Sequence, residues 1–233
     1  MEQLSSYRDR TAVQVNEFVR SVYNWMCMGL GLTGLVAWYV SNNETILRMV
    51  VGSPLLWILI IAELALVFSI SGMVNKMSGS MATTLFMVYS ALNGVTLSFI
   101  FLVYTKASIV STFFICALTF LASSIYGWTT KKDLTSIGSF MFMGLIGIII
   151  ASVVNIFMRS PALYYAISYI GVVVFVGLTA YDTQKIKDMA ITQPAGLDGD
   201  VVRKGAIIGA LRLYLDFINL FLMLLRIFGG GRD

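Results

Sequence analysis

Two stretches decide the fold: GLTAYDTQKIK (177–187) and LRLYLDFINLFLMLLR (211–226). Each is a helix-forming apolar run interrupted by one aspartate, Asp182 in the first and Asp216 in the second. A carboxylate inside a helix built for hydrocarbon is costly and marks a functional site with a partner to be named. Here each aspartate has the other. At about 100° per residue, Gly205, Gly209, Arg212, Asp216, Asn219 and Arg226 fall within an arc of roughly 100°. A polar stripe on an otherwise lipid-like helix must face other helices or water, which predicts a central last helix enclosed by the others.

The rest of the chain supports a membrane setting. Of its 233 residues, 58% are hydrophobic and 12% charged, and the mean hydropathy is +0.84. Soluble domains carry about a quarter charged residues, so this deficit and the repeated long apolar runs predict an all-α polytopic membrane protein. The net charge of +4 is spread between apolar segments rather than gathered on one face, which argues against a nucleic-acid partner and for the lipid bilayer. Histidine is absent, which excludes imidazole-bound zinc and Ser-His or Cys-His nucleophiles. Cys27 and Cys116 lie in apolar runs without CxxC spacing and read as small buried hydrophobes, with no disulfide, metal or other cofactor expected.

Reading apolar runs against the roughly 20 residues that span a bilayer gives seven candidates, near 22–40, 54–74, 81–104, 108–128, 137–157, 162–183 and 205–228. They form one domain over 22–229, preceded by a polar cytoplasmic segment (1–21) and followed by a short tail (230–233). Residues 1–21 lack a signal peptide's short basic region and cleavage site, so the first span is expected to stay in the mature protein. Pro54, Pro161 and Pro194 fall at helix starts or in the long connector 184–204, which fits unbroken spans. That connector, with Asp188, Asp198 and Asp200 among basic residues, reads as a solvated cytoplasmic loop. Glycines at 205 and 209, at 144 and 147, and in GLGLTG (29–34) suit close helix packing.

Basic residues set the orientation. Arg8, Arg10, Arg20, Lys76, Lys131, Lys132, Lys185, Lys187, Arg203 and Lys204 share the side of the N-terminus; Arg48, Lys106, Arg159, Arg226 and Arg232 lie opposite, with Arg212 inside the last span. The bias predicts a cytoplasmic N-terminus and, with seven spans, an external C-terminus. Asp182 is then near the cytoplasmic end of the sixth span, and Asp216 about eleven residues, roughly 17 Å, into the seventh. The two can meet only if the sixth helix runs on past Lys185 or the seventh starts later than residue 205.

Three acids lie inside the spans: Glu63, Asp182 and Asp216. Two aspartates brought together in a poorly solvated site cannot both ionise easily, so they share a proton and become a pH-sensitive element. Protonated, the pair is a closed hydrogen-bonded contact; deprotonated, it repels and is relieved by opening or by a cation. Hard carboxylate oxygens suit calcium or sodium better than copper or zinc, so Asp182 and Asp216 are also the candidate calcium ligands. Glu63 and Asn219 are candidates for an ion path. Simpler roles stand beside these: an intrahelical pair of Arg212 with Asp216 four residues on, a solvated interfacial Asp182, and a protonated Glu63 bonding between helices.

At these residues a family resemblance becomes specific. GLTAYDTQKIK (177–187), the last helix LYLDFINLFLMLLRIFG (213–229), VYNWM (22–26) and YGWTTKKDL (126–134) together resemble the transmembrane Bax inhibitor motif family, including bacterial members of the YbhL type. The resemblance implies a seven-helix fold with the last helix enclosed, and a pH-sensitive calcium leak in a bacterial inner membrane governed by a di-aspartyl sensor. On motif position the sensor residues map to Asp182 and Asp216, and the acid of the second span to Glu63. Some bacterial relatives pair an arginine late in the second span with the first aspartate; here SISGMVNKMSG (69–79) offers Lys76, a point charge without the bidentate fork, and Arg212 is the other candidate partner.

Two other functions are open to the sequence. Intramembrane aspartyl proteases also use two carboxylates that share a proton, but Asp216 sits in LYLD rather than GxGD, and PAL (161–163) precedes the sixth span, so no enzyme is expected. A non-conducting regulator that binds other membrane proteins, such as a membrane protease complex, is the alternative to the leak. It predicts co-purifying partners and indifference to the aspartates.

Overall fold

The computed structural model describes residues 2–192 and 197–231, with side chains from Gln14 onward. Helix α1 runs over Glu2–Ser41, α2 over Glu44–Val51, and α3 over Leu55–Met73 with a 3-10 turn at Val74–Lys76. Then follow α4 (Gly79–Leu97), α5 (Ile100–Val103), α6 (Lys106–Thr129), α7 (Thr135–Met158), α8 (Pro161–Thr192) and α9 (Gly199–Phe228). Local chemistry places the ends. Asn43, Ser78 and Thr105 accept the backbone N–H of Ile46, Met81 and Ser108 at 3.2 Å each, satisfying donors that a helix start leaves open. Pro54 precedes α3 and Pro161 opens α8, where a missing N–H costs nothing. Pro194 and Arg232 lie outside the described residues.

Six helices among the described residues are long and apolar enough to cross a membrane: Leu55–Lys76, Gly79–Val103, Lys106–Thr129, Thr135–Met158, Pro161–Thr192 and Gly199–Phe228. The first of the seven expected spans is the C-terminal half of α1, which is not among the six; Asn24, Trp25, Trp38 and Tyr39 dilute its apolar character. The expected polar N-terminal segment is not separate from that half, since one helix runs from Glu2 through Ser41. Burial singles out α9: 67% of its most apolar window is buried, against 6% in α3 and in α7.

Three boundaries differ from the sequence reading. The span near 81–104 is interrupted, because α4 ends at Leu97 and Ser98 turns the chain with Oγ and N both bonded to Val95 O, at 2.7 and 3.3 Å. A serine that bonds back to the preceding turn bends or ends a helix. The connector is far shorter than 184–204, since α8 continues to Thr192 and α9 begins at Gly199. Ile186 and Ala190, four apart, are both buried and carry the helix onward, and Asp198 starts α9 by accepting the N–H of Asp200 at 3.0 Å. Of the remaining connector, residues 193–196 lie outside the described residues. Finally, α2 occupies the link between the first two spans, with Arg48 paired to Glu44 on one turn.

The chain forms two compact units, Met1–Val103 with Ile186–Tyr214, and Tyr104–Lys185 with Leu215–Asp233. In the first unit α1 packs on α4, and Phe18, Val22, Met26, Thr33, Ala37 and Val40 form a buried stripe along α1 at helical spacing. Cys27, one residue off that stripe, is exposed, which corrects its reading as a buried hydrophobe. Gly209 of α9 packs closely on Val22 and Ile186, whose side chains would stand 3.2 to 3.3 Å from an added Cβ, closer than ordinary van der Waals contact. In the second unit α6 buries Ile109, Thr112, Cys116, Phe120, Ser124 and Gly127 at the same kind of spacing. There Gly127 faces the backbone of Ala180, Gly138 the ring of Tyr181, and Gly171 the side chain of Met223. Of the glycines read as packing residues, Gly31, Gly34 and Gly147 face open space.

Candidate functional site

Asp182 and Asp216 belong to the same compact unit; Glu63, Lys76 and Arg212 belong to the other. The sixth span runs past Lys185 to Thr192, which is the condition set for an approach of the two aspartates.

Asp182 is half-buried on α8, and its neighbours on both sides are fixed. Two residues before it, Ala180 lies against Gly127, where an added Cβ would stand 2.2 Å from the carbonyl oxygen. One residue before it, the Tyr181 ring covers Gly138, with Lys185 Nζ 5.5 Å from the ring centre. After it, Thr183 donates to Ser124 Oγ at 3.3 Å. Gln184 then accepts from Leu134 N at 2.8 Å and donates to Lys132 O at 2.9 Å, clamping the α6–α7 loop to α8. A side chain held between such anchors keeps a defined position.

Asp216 is 5% exposed and is the one charged side chain in the buried set among the described residues. Its Oδ2 is shielded from solvent. Next to it, Phe217 is gripped edge-on by Phe113 and Phe120, with centroids 5.6 and 5.4 Å away, and its carbonyl accepts from Cys116 Sγ at 3.6 Å. These contacts fix the rotation of α9 at the aspartate. Asn219, half-buried one turn on, donates Nδ2 to Leu215 O at 2.8 Å, so part of its polar capacity is spent on its own helix.

In the other unit, Arg212 is exposed on α9. Lys76 is exposed in the 3-10 turn. Glu63 bonds between helices: Thr96 donates to Oε1 at 2.8 Å and Asn93 to Oε2 at 3.2 Å. The chain of bonds continues, for Tyr214 donates to Asn93 Oδ1 at 3.3 Å and its hydroxyl lies 2.6 Å from Thr33 Oγ1. Thr33 also bonds the carbonyls of Ser90 and Gly29, at 2.8 and 2.9 Å. This network ties α1, α3, α4 and α9 together; bonding of Glu63 between helices is the simpler role read for it from sequence, whereas the continuation through Asn93, Tyr214 and Thr33 was missed, although Tyr214 stands two residues from Asp216 and Thr33 lies within GLGLTG. Glu63→Gln places an amide where Glu63 accepts from Asn93, so it should cost about 1 kcal/mol of stability in detergent. Thermal unfolding of the two proteins measures the difference.

Outside the spans, Asp133 Oδ1 accepts the Thr135 hydroxyl at 2.6 Å and its N–H at 2.9 Å, which holds the Asp133 carboxyl below the usual carboxylate range. A depressed carboxyl contributes stability above its unfolded value and loses it as pH falls through the folded one. Among the described residues no three Asp, Glu, Cys or His side chains gather as a metal cluster, so a cation at the aspartates would complete its shell with carbonyl or water oxygen.

Residues 15–233 match the family Bax1-I, described as inhibitor of apoptosis-promoting Bax1. The chain belongs to that family. It is 55% identical over 216 residues to the inner membrane protein YbhL of Escherichia coli K12, covering 92% of each chain. A protein of Borreliella burgdorferi is 48% identical over 219 residues, 94% of each chain. A protein of Deinococcus radiodurans is 41% identical over 233 residues, 100% of this chain and 98% of its own. Membership agrees with the resemblance carried by the two aspartate motifs, and the family match takes in both of them. None of these three relatives bears the name of an enzyme.

Proposed function

We propose that the protein is a pH-sensitive leak for cations, calcium foremost, in a bacterial inner membrane, with Asp182 and Asp216 as its proton sensor and gate. The observation that carries this reading is Asp216, a buried carboxylate in an apolar helix within the same compact unit as Asp182. A membrane helix retains such a group where it has work to do. Sharing a proton, the two carboxylates hold α8 and α9 together. Losing it, they repel, and the contact opens or takes up a divalent cation whose charge offsets theirs. Calcium is cargo here, held by few protein oxygens and so released readily. Lys185 on α8, which donates to Thr135 Oγ1 at 3.1 Å, and Arg212 on α9 are the cations whose fields bias the proton equilibrium. The inner-membrane setting follows from the six candidate spans and the name of the Escherichia coli relative. In the full arrangement the apolar half of α1 is the first of seven spans, and α9, the last, is enclosed by the others.

Conduction separates this reading from a regulator that acts by binding other membrane proteins. Liposomes holding only the purified protein should pass calcium well above empty liposomes. A folded protein that passes none at any pH, yet carries a membrane-protein partner through purification, would be the regulator.

A further inference from the structure

The second unit contains a groove whose lining residues the proposed sensor does not use. Its volume is about 320 Å³, and its walls are Ala122 and Tyr126 of α6, Ile137 of α7, and Val176, Gly177 and Ala180 of α8. The walls are almost wholly apolar and the groove is open along one side, where Ala122, Tyr126 and Ile137 are exposed. Ser123 Oγ, the polar side-chain atom in the lining nearest the middle of α6, is already donated to Thr119 O at 2.8 Å.

One end of the groove is different. Leu134 closes it, directly after Lys131 and Lys132, both exposed. The loop that carries these lysines is not loose, because Gln184 clamps Leu134 N and Lys132 O to α8. Lys185 adds a third cation at this end, with Nζ 3.1 Å from Thr135 Oγ1. Of the acids near this end, Asp133 is exposed and engaged by Thr135, and Asp182 and Asp188 lie one turn either side of Lys185 on α8. Lys131 and Lys132 on a clamped loop, with Lys185 at the same end of an apolar slot, match the chemistry of an amphiphile with a negative head. A transmembrane helix seated here would look for polar or small-residue partners along the wall, and it would have no use for a basic cluster at one end.

We propose that this groove is a binding site for an anionic glycerophospholipid, with an acyl chain between α6, α7 and α8 and the phosphate on Lys131, Lys132 and Lys185. The lysines lie on the side where the chain's basic residues predominate, the side on which basic pockets between membrane helices hold anionic headgroups. A chain that fills the groove also shields the α6–α8 contact at Gly127 and Ala180, two residues from Asp182.

The test is native mass spectrometry of the full-length protein equilibrated with equal amounts of phosphatidylglycerol and phosphatidylcholine. The parent should retain one phosphatidylglycerol with a preference of about tenfold over phosphatidylcholine. Lys131→Gln with Lys132→Gln should retain lipid without that preference, and Ala122→Trp, which fills the groove from an exposed position, should lose it. Phosphatidylglycerol with a photoreactive acyl chain should label the parent at 122–126, 134–137 and 176–180. That labelling decides the matter if Ala122→Trp fails to fold. Equal retention of the two lipids by the parent, or label spread evenly over the exposed faces of α3 and α7, overturns the proposal.

Discussion

Gly127→Val should lower the stability of the protein by about 3 kcal/mol or more, the upper end of the cost of overpacking a close contact. An added Cβ would lie 2.2 Å from the Ala180 carbonyl oxygen, 2.9 Å from its carbon and 3.0 Å from its Cα. All three are backbone atoms of a helix, so no side chain can rotate away. Helices α6 and α8 would have to separate, and the bond from Thr183 to Ser124 and the Gln184 clamp on the α6–α7 loop would go with them. Gly147→Ala is the control. Its Cβ would meet nothing within 4 Å, so it should be neutral or stabilising by up to about 1 kcal/mol, as alanine is the better helix former. Denaturant unfolding in detergent separates the two, and equal behaviour would show that the α6–α8 approach is not as close as described.

Tyr214→Ala should cost about 3–5 kcal/mol, as for a large aromatic removed from a packed core. The side chain is 0% exposed, and its ring lies edge-on to Phe86 and Tyr89 with centroids 5.7 and 5.5 Å away. Tyr214→Phe keeps the ring and should cost only about 1 kcal/mol, because hydrogen bonds between membrane helices are individually modest. Thr33 retains the carbonyls of Gly29 and Ser90 as acceptors in that variant, while Asn93 Oδ1 loses the hydroxyl. If the phenylalanine and alanine variants unfold alike, the hydroxyl network and not the ring carries the stability of this unit.

Much of this architecture is legible in the sequence because hydrocarbon imposes a length and a composition on each span. Prolines at 54 and 161 mark starts that the structure reproduces, and α9 is the most buried candidate span, as expected of the last helix, although its polar stripe is only half-buried at Gly205, Asn219 and Arg226 and is exposed at Arg212. Asp216 emerges from the same reading, since a lone acid in an apolar run has few structural reasons to be there. What sequence cannot supply is tertiary. Ser98 interrupts a run whose hydropathy is continuous, because the event is local, its Oγ and N both bonding back to Val95 O. The extension of α8 past Lys185 is masked by charged residues, although Ile186 and Ala190 continue its buried face. Cys27 and Cys116 have similar apolar surroundings in sequence, and only helix rotation makes one exposed and the other buried. A lone acid in the second span points to interhelical bonding by Glu63, but no local pattern names Asn93, Tyr214 and Thr33, from three further helices, as the rest of the network.

The central claim is that Asp182 and Asp216 sense protons for a calcium leak. Calcium flux into liposomes holding only this protein, followed from about pH 5 to pH 8, the range over which physiological proton switches act, tests it most directly. The account predicts that flux in the parent varies with pH and that Asp182→Asn and Asp216→Asn each remove that variation while the proteins remain folded. Flux with the same pH dependence in the parent and in both variants would contradict it.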